Sequence, residues 1–176
     1  DTMNGGWKEA DFSKYDVVFH VAGIAHVDPK PEMAPLYYKV NRDLTVEIAK
    51  HAKACGVKQF VFMSSKIVYQ SSKDLREHVV TLSTEPKPND FYGDSKLQAE
   101  KGLNALASET FKVANLRPCM IYGPNSKGNF LRLGWLGTKT PIFPAWHNKR
   151  SMLYIDNLCE FVKQVMLHEK SGRSEE

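Results

Sequence analysis

The 176-residue sequence contains only three cysteines, at positions 55, 119 and 159, and they form neither a Cys-x-x-Cys pair nor a Cys/His ligand pattern. Such an odd and widely spaced set argues against a disulfide framework and against structural zinc, and it is typical of a reducing compartment. The six histidines also lack the spacing of metal ligands. We therefore predict a cytoplasmic protein without a bound metal.

Long apolar runs and charge of one sign are also missing. No segment approaches the length that crosses a bilayer, and the first residues are polar rather than a charged start followed by an apolar stretch. The 24 basic and 20 acidic residues are spread along the chain, so the net charge of +4 does not come from a basic block. These absences disfavour a membrane or a nucleic acid as partner.

Apolar strands alternate with helical patterns along the chain. We predict strands over 16–23, 58–65 and 112–116, helices over 36–55, 91–107 and 156–168, and a loop over the site at 71–90. Gly56 follows the first helix where a C-terminal cap would lie. This alternation is typical of right-handed β-α-β units, so we expect an α/β fold with a parallel sheet.

Tyr92 and Lys96 are four residues apart in a predicted helix, which places both side chains on one helical face. An ammonium beside a phenol favours the phenolate and makes the tyrosine a usable base. Alone, this spacing is more often a solvated helix face. Here it follows a strand that ends in Ser64 and Ser65, and it precedes another strand that leads into Arg117.

This ordered set resembles the extended short-chain dehydrogenase/reductases, and within them the NAD-dependent epimerase/dehydratase family. It is most similar to bacterial enzymes of the UDP-glucose 4-epimerase-like and UDP-N-acetylhexosamine C4-epimerase-like groups, which serve polysaccharide biosynthesis. The matching segments run in family order along the whole chain: 16–23, 40–41, 56–65, 92–96, 117–118, 122–124, 127–130 and 148–157.

The resemblance implies a partial Rossmann-like, doubly wound parallel sheet. Residues 1–124 would form a partial NAD-binding domain that lacks the Gly-rich turn of the family, and residues 125–176 a partial substrate-binding region. We therefore expect a chain that is incomplete at both ends and whose complete form is a possible homodimer.

The resemblance also implies a reaction, the inversion of C4 in a UDP-hexose or UDP-N-acetylhexosamine through a 4-keto intermediate, with NAD as cofactor. Tyr92 would be the base, Lys96 would lower the pKa of Tyr92 and bind the nicotinamide ribose, and Ser65 would hydrogen-bond the reacting oxygen. Arg150 would bind the diphosphate. The implied cofactor-binding residues are Val21, Ala22, Gly23, Asn41, Met63, Ser64, Tyr92, Lys96 and Pro118, and the implied substrate-binding residues are Ser65, Ile67, Tyr92, Asn129 and Arg150.

Other functions stay open at this point. Related 4,6-dehydratases carry an Asp-Glu pair just after the strand hydroxyl, where this chain has Lys66 and Ile67. That difference disfavours elimination but leaves reduction of a 4-keto sugar open. A non-catalytic NAD-fold binding protein is the alternative from another class, and the presence of Ser65, Tyr92 and Lys96 disfavours it.

Overall fold

A computed structural model of the chain describes residues 2, 4–25, 30–69, 79–126, 129–139 and 149–168, with residues 129 and 131–133 described by their backbone alone. The prediction of a loop at 71–90 lies partly outside the described residues. Within 79–90 the chain forms turns and irregular segments, as expected there.

A parallel sheet of three strands forms the centre of the fold. The strands are β1 (Val17–His20), β2 (Gln59–Met63) and β3 (Lys112–Leu116), in the order β1-β2-β3. Their register places Phe60 opposite Val18 on one side and Val113 on the other. All three strands were predicted, because a strand covered on both faces is apolar along its whole length.

A long helical stretch joins β1 to β2. It consists of α1 (Ala34–Tyr37), a π-helical segment (Tyr38–Leu44) and α2 (Thr45–Ala54), and right-handed helical backbone is continuous through both junctions. Gly56 has a φ of +84° just beyond the helix end, a conformation that glycine adopts readily, which confirms the predicted cap. The π-helical segment was not predicted, because its apolar residues keep the same spacing as in an α-helix.

Helix α3 (Phe91–Asn104) joins β2 to β3 and packs beside α2. The Asp90 carboxylate caps its first turn by accepting a hydrogen bond of 2.7 Å from the Gly93 N–H. Leu103 is fully buried in the cluster that Leu106 packs against, and Leu97 is nearly buried in a smaller cluster with Val68 and Tyr69, so all three make core contacts as predicted.

Hydrophobic clusters cover both faces of the sheet. Phe60 and Phe62 of β2 pack with α2 and α3, whereas Val61 faces the opposite side and packs with α5 (Ile155–Leu167). The Gln59 side chain also donates a hydrogen bond of 3.0 Å to the Val165 carbonyl of α5. Helices on both faces give the doubly wound arrangement that the sequence predicted.

The later part of the described chain adds a second, smaller sheet. Strands β4 (Met120–Tyr122) and β5 (Met152–Tyr154) pair in parallel, and α4 (Asn129–Lys139) lies between them in sequence. Helix α4 was not predicted, because Gly134 and Gly137 suggest a loop. The division of the chain at residue 124 stays a prediction. Among the described helices, none combines the length and the apolar composition that a membrane crossing requires.

His20 at the end of β1 should make stability depend on pH. Its ring is 4% exposed, and burial, together with the nearby Lys96 charge, lowers its pKa from 6.5 to about 4. The unfolded chain therefore binds a proton as the pH falls below 6.5, whereas the folded chain does so only near 4. At about 1.4 kcal/mol per pH unit, this difference should lower the free energy of unfolding by about 3 kcal/mol across that window.

Urea denaturation of the parent chain and of His20→Gln between pH 4 and pH 6.5 measures this contribution. We expect the free energy of unfolding of His20→Gln to fall less steeply with falling pH in this window, because the variant has no ring to protonate. Equal slopes for the parent and His20→Gln would refute the assignment.

Candidate active site

The predicted catalytic residues meet at the carboxyl end of the central strand. Ser65 is the second residue after β2, Tyr92 lies in the first turn of α3, and Lys96 lies one turn later. The Ser65 hydroxyl lies near the Tyr92 phenol, and its hydrogen bonding lowers the pKa of Tyr92. In open parallel α/β sheets, ligands bind outside the carboxyl ends of the strands, and this cluster lies there.

Ser65 is held by a short turn of 3₁₀-helix at 66–68. Its Oγ accepts a hydrogen bond of 3.3 Å from the Ile67 N–H, and the Lys66 N–H donates to the Pro118 carbonyl at 3.1 Å. The strand end is thereby fixed to the segment that follows β3. Pro118, predicted to contact the cofactor, has this structural contact in addition.

Tyr92 reaches Ser65 because α3 begins very close to that turn. A Cβ added at Gly93 would lie 2.6 Å from the Ile67 carbonyl oxygen, so only glycine permits this approach. The Tyr92 ring also packs edge-on against Tyr37, with ring centroids 5.8 Å apart. Gly93 was not singled out in the sequence, and its position inside the Tyr-x-x-x-Lys segment was the available signal.

The expected lowering of the Tyr92 pKa by Lys96 is not found. The pKa of Tyr92 is raised above 10.0, chiefly by burial, while the hydrogen bond from Ser65 lowers it and the neighbouring Tyr37 and Asp90 raise it. Helical spacing places both residues on one face, but it does not fix where a flexible lysine side chain ends. In this structure the ammonium is bound elsewhere.

Lys96 is buried against the end of β2. Its Nζ donates a hydrogen bond of 3.0 Å to the Met63 carbonyl and lies 4.6 Å from the centroid of the Phe62 ring. Burial lowers its pKa to about 8, although the charge of Glu100 partly opposes this effect. Lys96 is therefore still mainly protonated at neutral pH, and Met63 contributes a backbone carbonyl to the site.

Asn41 ties the end of β1 to α3. It is fully buried in the π-helical segment, accepts a hydrogen bond of 2.8 Å from the Ile24 N–H, and donates to the Ile24 carbonyl and to Ser95 Oγ, each at 3.2 Å. Single π-helical turns often occur at functional sites. Here the π-helical segment contains Asn41, whose side-chain amide binds the backbone of Ile24, just beyond β1.

That segment packs closely against Asn41 and Lys96. A Cβ at Gly23 would lie 2.9 Å from Asn41 Oδ1 and 3.2 Å from Lys96 Nζ, so glycine is required there. Gly23 and Val21 are exposed and Ala22 is half-buried. These small or uncovered residues at a strand end form a shelf on which a flat ligand can lie.

A buried ionic network lies behind the site, and the sequence did not predict it. Glu100 of α3 pairs with Arg117 at 2.7 Å, and the Ser64 hydroxyl, predicted to contact the cofactor, hydrogen-bonds the same carboxylate. Arg117 also donates to the Tyr69 hydroxyl at 2.6 Å. The available signal was Glu100 itself, which is four residues beyond Lys96 on the same helix.

The predicted substrate residues are described in part. Ile67 is half-buried in the turn beside Tyr92, and Arg150 is exposed just before β5. Asn129 begins α4, and its side chain lies outside the described residues. No group of three or more His, Cys, Asp or Glu side chains that could hold a metal ion occurs within the described ranges.

Known proteins resemble this chain in sequence. The family described as "NAD dependent epimerase/dehydratase family" matches residues 6–176. The UDP-glucose 4-epimerase of Vibrio cholerae is 38% identical over 162 residues, which are 89% of this chain and 49% of the relative. The N-acetyl-alpha-D-glucosaminyl-diphospho-ditrans,octacis-undecaprenol 4-epimerase of Escherichia coli O157:H7 is 31% identical over 164 residues, 90% of this chain and 47% of that relative. The chain spans about half the length of these curated relatives.

Solved structures share the fold. MoeE5 in complex with UDP-glucose and NAD superposes with a TM-score of 0.77 at 22% identity, over 96% of this chain and 59% of that one. The UDP-glucuronic acid 4-epimerase of Bacillus cereus in complex with NAD gives 0.74 at 24% identity, over 97% and 55%. These likenesses establish the Rossmann-like fold that the sequence predicted. With a family match from residue 6 to the last residue and a relative that is 38% identical, the chain belongs to the NAD dependent epimerase/dehydratase family.

Proposed function

We propose that this chain carries the catalytic centre of an NAD-dependent nucleotide-sugar epimerase that inverts C4 of a UDP-hexose or UDP-N-acetylhexosamine. The observation that carries the proposal is the gathering of Ser65, Tyr92 and the buried Lys96 at the carboxyl end of β2. The names of the two sequence relatives, both 4-epimerases, support the choice of reaction.

NAD fits the shelf at the end of β1. Gly23 lets the backbone come close to Asn41 and Lys96 where a Cβ would clash, Asn41 orders the backbone there, and the outer face of residues 21 and 23 is exposed. When bound, NAD accepts a hydride from the sugar carbon, and its positively charged ring favours a nearby phenolate. Val21, Ala22 and Gly23 would hold it, with Met63, Ser64 and Pro118 at the neighbouring strand ends, and Lys96 would bind its ribose.

Tyr92 and Ser65 divide the proton chemistry. The phenol of Tyr92, once ionised, removes the proton of the sugar C4 hydroxyl, and the Ser65 hydroxyl orients that oxygen through a hydrogen bond. Because burial raises the pKa of Tyr92, the base needs added positive charge nearby before it ionises near neutral pH. We propose that NAD supplies that charge when bound, and that the Lys96 ammonium, held at the Met63 carbonyl, assists it there rather than by lowering the Tyr92 pKa alone.

Arg150 is the proposed diphosphate ligand, since an exposed guanidinium offers the fork geometry that phosphate oxygens prefer. In the full-length gene product, Arg150→Ala should raise KM for a UDP-sugar by roughly ten- to a hundredfold, the loss of about 1.5–3 kcal/mol from a charged hydrogen bond. Turnover at saturation should fall less, because the diphosphate is bound alike in the ground and transition states.

Steady-state kinetics with UDP-glucose test this prediction. Lys149→Ala is the matched control, because it removes a neighbouring exposed cation that lacks the forked geometry of a guanidinium. Arg150→Lys should recover only part of the affinity. An unchanged KM in Arg150→Ala would remove Arg150 from the substrate site.

A reductase of the same family would use much of the same site, so the two activities need a direct comparison. The full-length gene product should interconvert UDP-sugars without net consumption of NADH, because a hydride that is removed is returned to the same carbon. Steady oxidation of NADH or NADPH by a 4-keto sugar, without C4 inversion of any UDP-sugar, would establish the reductase instead. The turn at 66–68 carries no carboxylate, which disfavours a dehydratase.

The setting of the reaction is part of the proposal. Cys55, Cys119 and Cys159 are free thiols, which suits the reducing cytoplasm. UDP-sugars are substrates for building surface polysaccharide, and we propose that the product serves that synthesis. We also propose a homodimer for the complete protein, with no membrane or nucleic-acid partner.

A further inference from the structure

The Glu100 carboxylate has no role in the chemistry described above, yet it is 2% exposed in the middle of α3. It pairs with Arg117, whose side chain is 10% exposed. The desolvation of a buried ion pair costs about as much free energy as the attraction between its charges gains. A gain in stability therefore does not by itself explain why Glu100 and Arg117 are buried together. Its position next to the catalytic residues suggests another use.

Glu100 and Lys96, one turn apart on α3, bind consecutive residues at the end of β2. Lys96 donates to the Met63 carbonyl at 3.0 Å, and Glu100 accepts from the Ser64 hydroxyl. The next residue is Ser65, whose hydroxyl lies near the Tyr92 phenol. These two contacts fix how α3 lies along the strand end, and therefore how Tyr92 faces Ser65.

Arg117 prevents the carboxylate from turning away. Its Nε lies 3.2 Å from both oxygens of Glu100, its Nη2 donates to Oε2 at 2.7 Å, and its Nη1 donates to the Tyr69 hydroxyl at 2.6 Å. Because Arg117 directly follows β3, Glu100 is connected to the carboxyl ends of two strands.

Glu100 is also the acidic group that acts on the Lys96 ammonium. From β1, His20 faces Lys96 as a neutral ring, since burial lowers the pKa of His20 to about 4. From β2, Lys96 meets the Met63 carbonyl and the Phe62 ring, and Asn41 presents an uncharged amide near Gly23. Burial disfavours the ammonium, and the negative charge of Glu100 opposes that effect.

We propose that Glu100 is a positioning residue that holds the Ser64–Ser65 strand end against α3 and places a negative charge one helical turn from the Lys96 ammonium. The inference rests on the proposed function, in which that ammonium assists Tyr92. Its test does not require catalysis, because the charge of Lys96 is measurable in the chain without cofactor.

The experiment is an NMR titration of the 176-residue chain labelled with ¹³C at lysine Cε, in which the Lys96 signal is assigned from its absence in Lys96→Met. The parent midpoint should lie near 8. Glu100→Gln should lower it by about one pH unit, the low end of the effect of a close opposite charge. Glu109→Gln, at an exposed position outside the site, should leave it unchanged.

Glu100→Gln leaves the Arg117 charge buried without its partner, so a second variant removes both charges. Glu100→Gln/Arg117→Met keeps the volume of the pair, and the Lys96 midpoint should again fall. An unchanged midpoint in this double variant would overturn the inference. A merely structural role for Glu100 predicts that unchanged midpoint.

The proposed function and this inference fail in different ways. A full-length gene product that inverts no UDP-sugar, with a Lys96 midpoint that still falls on loss of Glu100, would refute the function and retain the electrostatic role. Inversion with an unchanged midpoint in the double variant would refute the role of Glu100 alone.

Discussion

Tyr92→Phe in the full-length gene product should lower turnover by about 10²–10⁴-fold, the usual contribution of a positioned general base, or about 3–5 kcal/mol of barrier. The substitution removes the phenol oxygen that lies near Ser65, whereas the ring can still pack on Tyr37. Binding of the UDP-sugar should therefore change little. Turnover numbers and substrate dissociation constants, measured separately, test both parts of this prediction.

Tyr15→Phe is the matched control, because Tyr15 is exposed and lies outside the site. It should leave turnover unchanged. Full turnover in Tyr92→Phe would remove Tyr92 from the role of base. A Tyr92→Phe variant that also loses substrate affinity would contradict the assignment of the residue to proton transfer alone.

Arg117→Met should destabilise the 176-residue chain by about 3–5 kcal/mol, because it leaves the Glu100 carboxylate buried without its cationic partner. The free energy of unfolding from urea denaturation measures the loss. The double variant Glu100→Gln/Arg117→Met should recover most of it, since no unpaired charge then remains in the interior.

An exposed ion pair provides the contrasting case. Lys58 and Asp16 lie 2.8 Å apart with side chains 76% and 75% exposed, so Lys58→Met should destabilise the chain far less than Arg117→Met does. If Arg117→Met and Lys58→Met lower the free energy of unfolding equally, burial of the Glu100–Arg117 pair is not the reason why loss of its cation destabilises the chain.

The sequence predicted the parts of the fold whose signals are local. The sheet strands are short apolar runs, because successive residues such as Val61 and Phe62 point to opposite faces of the sheet and both faces are packed against helices. Helix α3 begins within its predicted segment because Asp90 caps it. The candidate catalytic residues could be predicted because the order of strand, serine and Tyr-x-x-x-Lys helix is itself a pattern along the chain.

The rest depends on contacts between distant residues. Glu100 and Arg117 look like ordinary surface charges in the sequence, and only folding brings them together behind Ser64. The raised pKa of Tyr92 follows from its burial, which the Tyr-x-x-x-Lys spacing does not specify. Likewise, the spacing did not indicate that Lys96 would bind the Met63 carbonyl.

The central claim is that this catalytic centre inverts a sugar carbon, and proton NMR of the reaction product tests it most directly. The full-length gene product is incubated with NAD and, in turn, with UDP-glucose, UDP-galactose and their N-acetyl forms, and the coupling constants of the sugar H4 are followed. For at least one pair of C4 epimers, we predict that either sugar alone is converted to the same mixture of the two. Tyr92→Phe should give no conversion. Unchanged H4 couplings for all four sugars, with NAD bound to the protein, would contradict the account.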